Sequence, residues 1–284
     1  MSDLKTIKLI KESKSFAGFT RFYEHDSKFT KTKMKFASFE PAQKANKALI
    51  WLSGLTCNEE NFITKAGAQK YLSEAGLMVV CPDTSPRGLN LPGEHEEFFF
   101  GSGASSYLDA TSDGYRDHYQ MYSYINEEIY SILKEEFGIE EISIFGHSMG
   151  GHGAITIALK NPSKYKSVSA FAPVVNPLKS SWGLYALPRY FKEEDKALWR
   201  QYGSVQLIEE GYKFPQKIFI DQGSKDEFLG KHIHLDEFEQ ACQKQGQELE
   251  LKYREGYDHS YFYIASFIQE HIEFHAKALF DNIT

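Results

Sequence analysis

Ile142-Ser-Ile-Phe-Gly146-His-Ser148-Met-Gly150-Gly151-His-Gly-Ala-Ile-Thr-Ile-Ala-Leu159 is the stretch that decides the fold. Its first four residues are a short apolar run, suited to a strand buried on both faces of a parallel sheet. Gly146, Gly150 and Gly151 follow, small residues where a tight turn brings chains together. The residues from 151 to 159 then leave as a helix. A strand, a glycine-rich turn and a helix in that order lift the central side chain, Ser148, above the sheet. The helix start sets backbone N–H groups and the positive end of the dipole beside it. G-x-S-x-G alone is a weak signal; the flanking strand and helix give this copy its meaning.

Working outward, residues 48–52, 77–80, 168–171 and 217–220 are further short apolar runs of the buried-strand kind. Helical patterns lie between them. The clearest is the stripe Met121, Ile125, Ile129, Ile132, Leu133, ending near Gly138. Upstream, residues 5–10, 18–23 and 32–37 alternate apolar and polar, as amphipathic strands of an antiparallel start do. Alternating strands and helices imply βαβ units. The expected class is therefore α/β: a mostly parallel central sheet with antiparallel N-terminal strands and helices on both faces. One domain over residues 1–284 is the simplest organisation, with 173–211, rich in Trp and Tyr, as an excursion near the active site.

Composition bounds the function. The 284 residues are 42% hydrophobic and 25% charged, which excludes a disordered or collagen-like chain. A net charge of −7 argues against general affinity for nucleic acid. No apolar run approaches the ~20 residues of a membrane span. The first fourteen residues are polar and Lys-rich, so no signal peptide is expected. Three cysteines, Cys57, Cys81 and Cys242, fit a reducing cytoplasm better than a disulfide framework.

A serine hydroxyl needs an adjacent base, itself oriented by a third group. In α/β-hydrolases these follow in the order Ser, acid, His. The strand 217–220 leads into Asp221 at its tip and Asp226 beyond Gly223. Loop reach favours Asp226 as the acid and leaves Asp221 a loop-stabilising role. Among the later histidines, His259 follows a strand (248–253) and a Gly-containing loop and precedes a helix over 261–279, the place expected of the base. Asp258 reads as a helix cap. His271 and His275 have helical i,i+4 spacing, but Ile272 breaks the zinc-protease pattern, so both read as surface or interface residues. Acyl transfer also needs N–H donors for the carbonyl oxygen. Met149, after the nucleophile, supplies one, and Leu55, in the loop Ser53-Gly-Leu-Thr-Cys57 after the first buried strand, is the candidate for the other. Cys57 then lies close to the site.

With these residues placed, the chain resembles the S-formylglutathione hydrolases, the esterase D family. The resemblance runs almost end to end. It rests on Trp51-Leu-Ser-Gly-Leu-Thr-Cys57, Pro82-Asp-Thr-Ser-Pro-Arg-Gly88, Tyr107-Leu-Asp-Ala-Thr111, the segment Gly146 to Gly153, Asp221-Gln-Gly with Asp226, and Tyr257-Asp-His-Ser-Tyr261. It implies an α/β-hydrolase fold and hydrolysis of the thioester S-formylglutathione to formate and glutathione, the last step of glutathione-dependent formaldehyde detoxification. It implies Ser148, Asp226 and His259 as triad, Leu55 and Met149 as oxyanion donors, no metal and no organic cofactor. Neither nucleic acid nor membrane is expected as a partner; a homodimer or larger homo-oligomer is. A general short-chain carboxylesterase with the same triad is the alternative, because residues 99–107 and 181–187 depart from the family pattern where the pocket is expected.

Overall fold

The computed structural model describes residues 6–281. Strands β1 (Lys8–Ser15), β2 (Gly18–Asp26) and β3 (Lys33–Pro41) form the antiparallel start. Lys5, with which the first strand was expected to open, lies outside the described residues. Then come β4 (Lys47–Leu52), β5 (Met78–Pro82), β6 (Glu141–His147), β7 (Tyr165–Phe171), β8 (Ile218–Gly223) and β9 (Leu249–Arg254). One sheet holds them in the order β1-β2-β3-β5-β4-β6-β7-β8-β9, parallel from β5 onward. β4, β5 and β6 are buried almost throughout, which is why they read as unbroken apolar runs rather than alternations.

Helices cover both faces. α1 (Glu60–Lys65), α2 (Gln69–Ala75) and α9 (Tyr261–Phe280) pack on one. α5 (Met149–Lys160) and α7 (Ser204–Glu209) pack on the other, with α8 (Leu235–Gln245) against α7. The stripe from Met121 to Leu133 is helical and buried as expected, but not as one regular α-helix. A π-helical stretch, Tyr124–Ile129, separates α3 (Met121–Ser123) from α4 (Tyr130–Glu135). Within it the Asn126 carbonyl accepts a hydrogen bond from Lys164 Nζ at 3.0 Å.

Within 173–211, α6 (Ser181–Tyr190) and a 3-10 stretch, Glu193–Tyr202, leave the main core, but the excursion is shorter than expected, because Val174 and Val175 at its start and Val205, Leu207 and Ile208 of α7 belong to that core. Leu187 and Tyr190 join Phe100, Leu108, Tyr115 and Tyr119 in an apolar cluster separate from the main core. The Tyr190 hydroxyl donates to the Ala104 carbonyl and accepts from the Gly101 N–H, both at 2.9 Å. Two distant chain segments thus form one cap beside the sheet.

Candidate active site

Ser148 sits between β6 and α5 with φ +55° and ψ −116°, a conformation L-residues rarely adopt. The glycines around it are required by space. A Cβ on Gly150 would stand 1.9 Å from the Leu52 carbonyl oxygen, and one on Gly146 2.4 Å from the Gly150 oxygen. The turn is tied to β7 by the Ser148 N–H, which donates to the Phe171 carbonyl at 2.9 Å. As the first residue of α5, Met149 has an N–H with no intrahelical acceptor.

The acid and the base meet beyond β8 and β9. Gly223 lets them do so, because a Cβ there would lie 2.4 Å from the Tyr257 oxygen and 2.5 Å from that of Asp258. The Lys225 N–H also donates to the Tyr257 carbonyl at 2.8 Å. Across this junction His259 Nδ1 and Asp226 Oδ2 are 2.6 Å apart. The same carboxylate accepts from the Gln222 amide at 2.9 Å and the Phe228 N–H at 2.8 Å. Burial pushes the Asp226 carboxyl up, but His259 and these donors outweigh it and hold the acid below the usual carboxylate value. Ser148 and His259 line one cleft of about 280 Å³.

Leu55 lines that cleft too. Its loop is braced on several sides. The Tyr107 hydroxyl donates to the Ser53 carbonyl at 2.9 Å, and Trp51 Nε1 to Ser53 Oγ at 2.9 Å. The Thr56 N–H donates to the Gly103 carbonyl at 2.9 Å, and Arg87 Nη2 to the Cys57 carbonyl at 2.8 Å. Gly54 serves this loop by space rather than by an unusual φ: a Cβ would lie 3.2 Å from Ser148 Cβ. Thr56 carries the positive φ, +66°. Cys57 is a half-buried free thiol in the cleft wall. Burial pushes its pKa up, against smaller pulls from Lys65 and the Tyr261 hydroxyl.

Four aromatic side chains also line the wall: Phe98, Trp182, Phe228 and Tyr261. Trp182 comes from one of the segments that depart from the family pattern, and Phe99, from the other, stacks on it at 6.1 Å. Trp182 lies flat on His232, ring centres 3.7 Å apart and planes 7° from parallel.

Other expectations need correction. Asp221 is not at a strand tip, because β8 runs on to Gly223. It is fully buried and accepts from Arg254 Nη2 at 2.8 Å, so it anchors β9 to β8 rather than a loop. His271 and His275 are not at the surface; both are 0% exposed. Ser169 Oγ bridges His271 Nδ1 and His275 Nε2, each at 2.8 Å, and Ser167 Oγ meets His275 Nδ1 at 2.7 Å. A polar i,i+4 pair looks like a solvent face in sequence; here small hydroxyls on β7 engage three of its four ring nitrogens inside the core. The cap of α9 is Ser260, which accepts from the Phe262 N–H, while Asp258 Oδ1 holds the Ser260 N–H and hydroxyl. Gln222 and His147 were not anticipated at the site, and for Tyr107, in a segment expected at the pocket, the bracing of the Ser53 carbonyl was not. For His147 the signal was its place immediately before the nucleophile.

The fold and the site together are those of an α/β-hydrolase. The Esterase family model matches residues 27–274. S-formylglutathione hydrolase of Rattus norvegicus is 48% identical over 280 residues, 96% of this chain and 99% of that protein. The Arabidopsis thaliana enzyme of the same name is 45% identical over 95% of this chain and 97% of its own length. The solved S-formylglutathione hydrolase of Agrobacterium tumefaciens superposes with a TM-score of 0.92 at 42% identity, covering 95% of this chain and 99% of that one. The chain belongs to the esterase family and, within it, to the S-formylglutathione hydrolases.

Proposed function

We propose that this protein hydrolyses S-formylglutathione to formate and glutathione by a Ser148–His259–Asp226 mechanism. The near-full-length identity of up to 48% to enzymes of that name carries the substrate reading. The 2.6 Å contact between His259 Nδ1 and Asp226, in the cleft that also holds Ser148, supports the mechanism. His259 takes the proton from Ser148 Oγ as that oxygen attacks the formyl carbon. Asp226 keeps the ring oriented and balances the imidazolium. The Leu55 and Met149 N–H groups receive the oxyanion. The carbon–sulfur bond then breaks, and glutathione leaves as its thiol with the proton from His259. Water, deprotonated by His259, attacks the formyl ester; formate departs and Ser148 regains its proton. These steps need no metal or organic cofactor.

The cellular setting is part of the same proposal. Three free thiols fit a reducing cytoplasm. Among the described residues no helix is long and apolar enough to cross a membrane. Assembly as a homodimer or larger homo-oligomer is part of the same proposal and is read by light scattering. Activity is tested by comparing kcat/KM for S-formylglutathione and for a short aryl ester. Preference for the thioester is expected; a marked preference for the aryl ester overturns the substrate assignment.

A further inference from the structure

His147 is the last residue of β6 and the chain neighbour of the nucleophile. It is 6% exposed and shares the cleft with Ser148 and His259. Its ring centre is 4.4 Å from that of His259, with the planes 45° apart. On the other side it meets the oxyanion loop: a Cβ on Gly54 would lie 3.3 Å from His147 Nδ1. Both ring nitrogens are buried and neither has a well-formed hydrogen bond. Such a group is unfavourable for stability, because a buried ring has lost water and gained in return only a poorly aligned interaction with the His259 backbone. Natural proteins rarely leave such groups without a use.

We propose that His147 is a positioning residue for the base: a neutral imidazole that gives His259 a dry polar neighbour and stabilises the imidazolium formed when Ser148 is deprotonated. The inference rests on the Ser148–His259 mechanism above. Water cannot fill this role, because the His147 nitrogens are closed off from solvent. Burial, and then the charge of His259, push the His147 pKa well down against a smaller upward pull from the His259 backbone, so it does not compete for the proton. The other groups facing the pair are known. Asp226 approaches from beyond β8 and Asp258 from the loop carrying His259. Tyr261 comes from α9, its ring 6.2 Å from His147, and Cys57 from the Gly54 loop. Phe228 covers His259 edge-on at 4.9 Å. Asp226 is thus the anion that His259 touches, and His147 the neutral partner on its other side.

The test is His147→Phe, which keeps a flat ring and deletes both nitrogens, with His147→Gln restoring a neutral polar group. For His147→Phe, kcat is expected to fall about tenfold, a fraction of what acid–base catalysis supplies, with KM within about twofold. The base works only when neutral, so a neighbour that stabilises its charged form moves the acid-side inflection of kcat/KM upward. Losing that neighbour moves the inflection to lower pH, and His147→Gln moves it part of the way back. Thermal stability of His147→Phe should be unchanged or higher. A wild-type kcat and inflection in His147→Phe overturns the proposal. So does a loss of activity that comes with an unmoved inflection or a lowered Tm, or failure of both variants to fold, since these assign the ring a structural role. The rate at which an organophosphonate fluoride probe labels Ser148, with loss of fluoride, reads base activation without any assumption about substrate. Absence of labelling at Ser148 in the wild type defeats the underlying mechanism; equal labelling rates across pH in wild type and His147→Phe defeat this inference alone.

Discussion

At the scale of single residues, the site holds its reactive groups in positions that are unfavourable elsewhere. Ser148 occupies a backbone region that costs an L-residue about 1–3 kcal/mol. Ser148→Ala should abolish turnover with the fold intact. Ser148→Gly should also be inactive but melt higher, since glycine is unstrained at φ +55°; an unchanged or lower Tm would show the turn is not strained. The two aspartates separate chemistry from architecture. Asp226→Asn leaves the imidazole with the wrong partner and should lower kcat by about four orders of magnitude. Asp221→Asn removes a charge from a buried ion pair with Arg254 and should lower stability by about 3–5 kcal/mol, with kcat of the folded enzyme largely retained. Kinetics and melting curves on both variants decide the assignment, and a dead, well-folded Asp221→Asn beside an active Asp226→Asn would reverse it. Cys57 belongs here as well. Only the thiolate reacts, and burial holds this thiol protonated. Maleimide inactivation should therefore be slow near pH 7 and accelerate with rising pH, and Cys57→Ala should stay active and resist it. Equal inactivation of both proteins would place the sensitivity elsewhere.

At the scale of elements, what the sequence disclosed and what it hid have physical reasons. The buried strands were legible because two covered faces demand unbroken apolar runs. The elbow was legible because its glycines are fixed by backbone approach, which no other residue tolerates. Gly150→Ala is the sharpest test, since its Cβ would collide with the Leu52 carbonyl; little folded or active protein is expected. Gly151→Ala meets the Pro173 and Ala170 side chains and the Gly146 carbonyl oxygen at 3.1–3.2 Å, contacts that small shifts relieve, and should be milder. Comparable expression and activity of the two would refute the steric reading. The places of His259 and Asp226 after strands near the end of the sheet were also readable. What could not be read was burial of polar groups. His271 and His275 look like a solvent face until Ser167 and Ser169, about a hundred positions away in sequence, are seen beneath them. Of the aromatic wall, Trp182 was within reach, since 181–187 was expected at the pocket, but Phe98 and Phe228 were hidden, because they come from unrelated segments and no local pattern links them.

For the molecule as a whole, the buried histidines set an acid limit. His271 and His275 are held neutral by burial, and burial pushes His152 down to about 4. A folded-state pKa below the unfolded value means the unfolded chain binds more protons. Their contribution to stability is complete above the unfolded histidine value of about 6.5. It is lost progressively as pH falls below that point toward the folded values. His152 alone, displaced from 6.5 to about 4, removes on the order of 3 kcal/mol by the end of that descent. Tm should fall steadily between pH 7 and pH 5. A flat profile over that window would mean these rings are charged in the folded protein.

The face-to-face stack of Trp182 on His232 makes the mouth of the cleft its own optical reporter. Indole emission is quenched by a protonated imidazole in van der Waals contact and much less by a neutral one. Burial, with help from His234 and Lys231, keeps His232 on the neutral side of its ordinary range, so emission from this indole should persist at neutral pH and dim on acidification. Because Trp182 also lines the cleft, a molecule entering beside it should change this indole's part of an emission that Trp51 and Trp199 share. Occupancy can thus be followed by light in real time, without a label and without turnover.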